Sequence, residues 1–276
     1  MKHIITLLLL SIITYASNLP NNSVVKIFST IAFENYKEPW ENPQIQNFTG
    51  SGVIIKDNQI LTSAHVVGSS KFVEVQKEND SKKYEANVKY ISNQVDLAIL
   101  EIKDKSFFEN TIPLEITEDV KIKDSVTAIG YPVGGNTIST TNGIVSRIEY
   151  KSYAWNPFNS YLTIQIDAAI NSGNSGGAVI NKDNKIVGIA MMKLSNADNI
   201  SYIVPSIVIN NFLNDIKDGK VDGFGSTGTT VSSVENLAIK EYLGLKDDLG
   251  VLISRVDVED IEFKKDDVIV SINGKE

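Results

Sequence analysis

Three residues of this chain have the types and order needed to build a nucleophile: His65, Asp96 and Ser175. Ser175 lies in Gly173-Asn174-Ser175-Gly176-Gly177, where the glycines allow tight turns and leave backbone N–H groups free to face a ligand. A hydroxyl and several amide donors on one concave surface are what acyl transfer through a serine requires. His65 sits in Leu61-Thr62-Ser63-Ala64-His65-Val66-Val67, just after a strand-like stretch and its turn, and Asp96 precedes the apolar run Leu97-Ala98-Ile99-Leu100. Each feature alone has an ordinary reading, as a loop, a packed histidine or a turn aspartate. Together they fill three complementary roles: the serine attacks, the histidine carries the proton, and the aspartate holds the imidazole tautomer and stabilises the imidazolium.

The chain order is His, Asp, Ser, with separations of 31 and 79 residues. That is the order of chymotrypsin-type enzymes and differs from the orders of subtilisins and α/β-hydrolases. An esterase is disfavoured, because the parallel sheet that carries a nucleophile elbow is not read in this sequence.

The elements that must position these groups read as strands. Short apolar runs, rich in Val and Ile and bounded by Gly, Asn, Asp or Pro, fall at 24–33, 52–55, 72–75, 86–91, 97–102, 125–129, 162–166, 178–180 and 185–191. Many short strands at such spacing predict an all-β barrel or sandwich. The amphipathic helices that a parallel α/β fold needs between strands are missing. One helical pattern follows Pro205, with Val208, Ile209, Phe212, Leu213 and Ile216 on one face, and Asp218-Gly219-Lys220 ends it. Beyond it, 237–243 reads as a short helix stopping at Gly244, and 251–256 and 268–272 read as strands of a second unit. The turn signal Asn273-Gly274 stands at the end of the chain, so this second unit is expected to be incomplete.

Composition narrows the function class. The chain has 276 residues, 42% hydrophobic and 22% charged, which suits a globular fold with a large core. A net charge of −8 without a Lys/Arg-rich run argues against nucleic-acid partners and anionic membrane surfaces. Lys2, an apolar stretch at 4–13 and Thr14-Tyr15-Ala16 read as an export signal over residues 1–16; the competing reading is an uncleaved anchor. No stable membrane span is expected after cleavage. Cleavage after Ala16 would remove Lys2 and leave 25 − 34 = −9. There is no cysteine, so disulfides and thiolate chemistry are excluded, and His65 is the one histidine left after residue 16, which excludes a multi-histidine metal site. No cofactor is expected.

Thr62-Ser63-Ala64-His65-Val66-Val67, Asp96-Leu97-Ala98-Ile99-Leu100 and Gly173-Asn174-Ser175-Gly176-Gly177 resemble the three catalytic motifs of the HtrA/Deg serine proteases. Gly130-Tyr131-Pro132-Val133-Gly134-Gly135, residues 138–147 (ISTTNGIVSR) and Gln165-Ile166-Asp167-Ala168-Ala169-Ile170-Asn171 resemble the plant-type Deg branch of that family. The resemblance runs from about Val24 to the chain end. It implies an all-β protease domain of two six-stranded antiparallel barrels at 17–217, followed by a PDZ-like α+β domain at 221–276. It also places the oxyanion hole at the backbone N–H groups of Gly173 and Ser175, and Ala169, six residues before the nucleophile, at the base of the substrate pocket, with Ala190 or Met191 on its wall. A lysine or arginine side chain entering there would meet no counter-ion, so small or medium apolar side chains are preferred before the cut.

In digestive relatives an Asp at the position of Asn174 pairs with a newly cut N-terminus, and Asn cannot. Activation by loop ordering is therefore expected, with candidate loops at 150–160, carrying Tyr153, Trp155 and Phe158, and at 191–199. Those aromatics could equally pack a barrel rim. The carboxylate-binding loop of the PDZ-like part is expected at 224–230 around Gly228; Thr227 and Thr229 stand where relatives carry apolar residues, which leaves packing or oligomer contact as the alternative role. The expected whole is an exported, periplasmic, ATP-independent endopeptidase acting on unfolded or misfolded proteins as a trimer or a multiple of one. The rival is a non-enzymatic chaperone or peptide-binding scaffold on the same fold.

Overall fold

A computed structural model describes residues 20–153, 156–193, 200–246, 249–259 and 261–274. The export-signal expectation at 1–16 lies outside the described residues, as does Trp155. The chain divides into two compact units between Gly223 and Phe224.

The first unit holds two closed six-stranded antiparallel barrels. The first is formed by β1 (Val24–Phe33), β2 (Gln44–Ile55), β3 (Gln59–Thr62), β4 (Ser70–Lys77), β5 (Lys83–Ser92) and β6 (Leu97–Ile102), in the order β1-β2-β3-β6-β5-β4. The second is formed by β7 (Ser125–Gly130), β8 (Ser139–Tyr153), β9 (Asn156–Ile166), β10 (Ala178–Ile180), β11 (Ile186–Lys193) and β12 (Ser201–Pro205), in the order β10-β11-β12-β9-β8-β7. Closure leaves neither barrel with a free sheet edge, so neither needs a helix to cover one. Each barrel is filled by its own inward-facing aliphatic residues, most of them β-branched. Val25, Ile27, Ile54, Ile60, Val75 and Leu100 fill the first, and Val145, Ile166, Val179, Val187 and Ile203 fill the second, each fully buried. Burying such a side chain contributes about 1.5–3 kcal/mol.

A one-turn helix α1 (Ala64–Val67) follows β3, and α2 (Ser206–Asp215) follows β12. Val208, Ile209, Phe212 and Ile216 are buried as the helical spacing predicts, and Gly219 at φ +92 ends the segment. Among the described residues no helix is long and apolar enough to cross a membrane.

The second unit contains β13 (Thr229–Ser233), β14 (Val251–Val256) and β15 (Val268–Ile269) in one antiparallel sheet, with α3 (Leu237–Leu243) between β13 and β14. The helix is capped by Asn236, whose side chain accepts from the Ala238 N–H, and stops at left-handed Gly244. Gly228 also adopts a left-handed φ of +65, and its carbonyl accepts from the Asp257 N–H.

Two expectations change. The segment 150–160 is not a free loop. Tyr153 ends β8 and Asn156 begins β9, so the described part is the tip of a long hairpin. The chain pairs there because alternate residues of β8 face inward even where the run is largely polar. Of the segment 191–199, residues 191–193 belong to β11, and 194–199 lie outside the described residues.

Candidate active site

Strand register brings His65 and Asp96 together. β3 pairs with β6 so that Thr62 faces Ala98. The chain leaving β3 enters α1 with His65, and the chain entering β6 has just passed Asp96. The two residues therefore sit at one end of neighbouring strands. Asp96 adopts a left-handed φ of +56, which turns the chain into β6 and aims the carboxylate back across the pair. Its Oδ1 accepts from the His65 backbone N–H at 2.9 Å and its Oδ2 meets His65 Nδ1 at 2.7 Å. The Asp96 side chain is 1% exposed and that of His65 14%. An ionised carboxylate only accepts, so the imidazole proton lies on Nδ1, and Nε2 is the basic nitrogen.

The nucleophile turn is built against the first barrel. Gly176 has φ +82, and a Cβ there would stand 2.2 Å from both the Ser51 carbonyl and Thr62 Oγ1. Only glycine allows that approach. Ser51, fully buried on β2, holds the turn at two places. Its N–H donates to the Ser175 carbonyl at 2.8 Å and its Oγ donates to the Gly173 carbonyl at 2.7 Å. Ser51 Oγ also accepts from the Tyr131 N–H at 2.8 Å. The Ser175 hydroxyl donates to the Met191 carbonyl at 3.3 Å. His65, Asp96 and Ser175 all line one cleft of about 560 Å³, with Ser172, Gly173, Ile31, Phe33 and Phe48 among its other walls.

The two N–H groups expected to bind an oxyanion are available. Among the described residues neither the Gly173 nor the Ser175 N–H donates to any acceptor. The Ser172–Gly173 peptide is fixed from its other side, since the Val133 N–H donates to the Ser172 carbonyl at 2.7 Å. The Asn174 N–H donates to the Asn171 carbonyl and the Gly177 N–H to the Asn174 carbonyl, which tightens the turn around Ser175. Asn174 itself is 4% exposed, and its Oδ1 has no hydrogen-bond partner.

Of the tentative pocket residues, Ala169 is exposed in the turn after β9, where its carbonyl accepts from Thr141 Oγ1. Ala190 and Met191 are buried on β11 beside the nucleophile. The Gly176 N–H donates to the Ala190 carbonyl, and Met191 receives the Ser175 hydroxyl. None of the three lines the cleft that contains Ser175.

Several contacts around the site are not specified by the motifs that contain their residues. Tyr153 is 1% exposed, donates to the Leu162 carbonyl at 2.8 Å and packs edge-on to Tyr161. Burial, and then the nearby charge of Asp96, push its phenol well above the ordinary value. Tyr131 is held neutral in the same way, by burial first and then by Glu78, whose carboxylate accepts its hydroxyl at 2.8 Å. Ser51 and Val133 act through contacts between residues far apart in the chain, which no local motif announces.

Comparison with known proteins bears on the family and the fold. The trypsin-like peptidase domain family matches residues 50–189. The mitochondrial Protease Do-like 4 of Arabidopsis thaliana is 40% identical over 257 residues, covering 91% of this chain and 49% of its own length. The chloroplastic Protease Do-like 2 of the same plant is 38% identical over 258 residues, covering 91% and 42%. A serine protease DegP homolog of Plasmodium falciparum is 39% identical over 243 residues, covering 84% and 28%. The chain thus spans about half the length, or less, of these relatives. Among solved structures, the HtrA-type protease AlgW with a tripeptide superposes with a TM-score of 0.74 at 23% identity, covering 94% of this chain and 82% of its own. An active-form protease from M. tuberculosis superposes at 0.61 and 24% identity, covering 75% and 86%, so the likeness extends to the barrels as a fold. With the three motifs, the paired barrels and these relatives in agreement, the chain belongs to the trypsin-like peptidases, in the plant-type branch of the HtrA/Deg family.

Proposed function

We propose that this chain is an exported, ATP-independent serine endopeptidase that hydrolyses peptide bonds of unfolded or damaged proteins. The observation that carries the reading is one cleft lined by Ser175, by His65 bonded to Asp96 at 2.7 Å, and by Gly173, whose N–H is unoccupied among the described residues. His65 Nε2 takes the Ser175 Oγ proton as the oxygen attacks the scissile carbonyl. The Gly173 and Ser175 N–H groups bind the developing oxyanion, a term worth about 3 kcal/mol per donor. Asp96 keeps the proton on Nδ1 and stabilises the imidazolium. His65 then gives the proton to the leaving amine. In the second half-reaction it deprotonates the water that hydrolyses the acyl-enzyme.

Ala169, Ala190 and Met191 are proposed for the acyl-side pocket from the family resemblance alone, since none of them lines the Ser175 cleft, and small or medium apolar side chains precede the cut. With Asn174 in place of an activating aspartate, loop order governs competence, through the hairpin tip at 150–160 and the segment 191–199. Residues 1–16 direct export, in the bacterial setting to the periplasm; the mitochondrial and chloroplastic names of the Arabidopsis relatives suggest an organelle as the other destination. Residues 17–217 form the protease domain, and 221–276 are part of a PDZ-like domain. The working assembly is a trimer or a multiple of one.

The deciding experiment incubates the protein and Ser175→Ala with a denatured model protein, without nucleotide. Cleavage by the parent and none by the variant supports the reading. Equal cleavage by both refutes the triad, and binding without turnover by the parent assigns a scaffold instead.

A further inference from the structure

Loop 131–138 leaves β7 of the second barrel, yet side chains of the first barrel hold it. Lys26 on β1 is only 8% exposed. Its Nζ donates to the Gly135 carbonyl at 2.8 Å and to Asn136 Oδ1 at 3.3 Å, and it lies 5.2 Å from the centre of the Phe28 ring. Among the described residues no carboxylate pairs with it. Burying an ammonium without a counter-ion is costly, and here the acceptors are supplied by a loop of the other barrel. The loop is tied again at both of its ends. Glu78 Oε2, just past β4, accepts from the Tyr131 hydroxyl at 2.8 Å and from the Ile138 N–H at 3.1 Å. Since β1 pairs with β4 and Lys26 faces Gln76, both anchors stand on one wall of the first barrel.

The loop so held has one consequential donor. The Gly135 N–H closes a turn onto the Pro132 carbonyl at 3.1 Å, and inside that turn the Val133 N–H donates to the Ser172 carbonyl at 2.7 Å. In a trans peptide the C=O and N–H point in opposite directions, so holding the Ser172 carbonyl aims the Gly173 N–H the other way. Lys26, Val133, Gly135, Ser172 and Gly173 line one continuous cleft of about 520 Å³.

We infer that Lys26 is a positioning residue for the oxyanion hole. Through Gly135 and the turn it closes, Lys26 holds Val133 against the Ser172–Gly173 peptide, and Glu78 is the second anchor of the same loop. The inference rests on the endopeptidase reading and adds to it a buried cation that acts without touching substrate.

The test compares the parent with Lys26→Met, Lys26→Arg and Glu78→Gln. Three readouts are taken: kcat and KM on a chromogenic peptide, inhibition by a peptide boronate that mimics the tetrahedral intermediate, and the melting temperature. Lys26→Met is expected to lower kcat at least about tenfold with KM within about twofold, and to weaken the boronate by the same factor as kcat/KM, because only the transition state uses the hole. Lys26→Arg restores most of the loss, and Glu78→Gln reproduces it in part. The inference is overturned if Lys26→Met and Glu78→Gln keep parental kcat and boronate affinity. It is equally overturned if kcat, KM and melting temperature deteriorate together and Lys26→Arg recovers none of them. A parent that no fluorophosphonate labels at Ser175 refutes the endopeptidase reading instead, before any variant is compared.

Discussion

The Val133 N–H donates to the Ser172 carbonyl at 2.7 Å, and that bond sets the direction of the Gly173 N–H in the same peptide unit. Under the proposed mechanism, competence at Ser175 then depends on a donor 42 residues upstream, in the loop that follows β7. Val133→Pro deletes this donor while keeping an apolar residue. Peptidase assays should show kcat reduced by about two orders of magnitude, with KM changed only a few-fold. Parental kcat in this variant would show that the Ser172 carbonyl needs no such anchor.

Asp96 makes two bonds to one residue, to the backbone N–H and the ring of His65. Asp96→Asn keeps the shape but offers an amide where an acceptor is needed, so the imidazole proton is driven to the wrong nitrogen. By the precedent of triad enzymes, kcat should fall about 10⁴-fold in steady-state assays. A loss below tenfold would remove Asp96 from the mechanism.

Ser51 is buried, and its hydroxyl serves both Gly173 and Tyr131. Ser51→Ala leaves that carbonyl and that N–H without their partner, at a cost of about 1–3 kcal/mol each. Denaturant unfolding should register the loss of stability, and kcat should fall beyond it, since the Gly173 backbone loses one of its two supports. An unchanged unfolding midpoint would contradict the bonding pattern.

Asn174 is 4% exposed with an unpartnered Oδ1. In Asn174→Asp the new carboxyl would be buried beside no paired cation, and burial raises a carboxyl above its ordinary value of about 4. The folded state then holds the proton more tightly than the unfolded state. The variant's stability is retained at low pH and is lost as pH rises through the raised value. Melting curves should show a deficit that is small near pH 4 and grows to about 3 kcal/mol by pH 8. A deficit independent of pH would mean that a cation reaches this side chain after all.

The fold and the chemical core were largely legible from local sequence. Leu97–Ile102 and Ala178–Ile180 coincide with β6 and β10, because both are short apolar runs bounded by turn residues and buried on both faces. The helix at Ser206–Asp215 announced itself by the 3.6-residue spacing of its buried face. β8 did not, since Ser139–Tyr153 is mostly polar and holds its place by pairing with β7 and β9. β12 was hidden in five residues ending in proline. His65, Asp96 and Ser175 stood out because their chemistry is local to their own motifs. Lys26 and Ser51 did not, because their partners lie 109 and 122 residues away and only barrel closure brings them together.

Labelling by a fluorophosphonate, mapped by mass spectrometry, tests the central claim most directly. The protein should carry one adduct, on Ser175. The labelling rate should fall by at least about 10³-fold in His65→Ala, because the hydroxyl then has no base to take its proton. An adduct on another residue, or labelling of Ser175 at an unchanged rate in His65→Ala, would contradict the account.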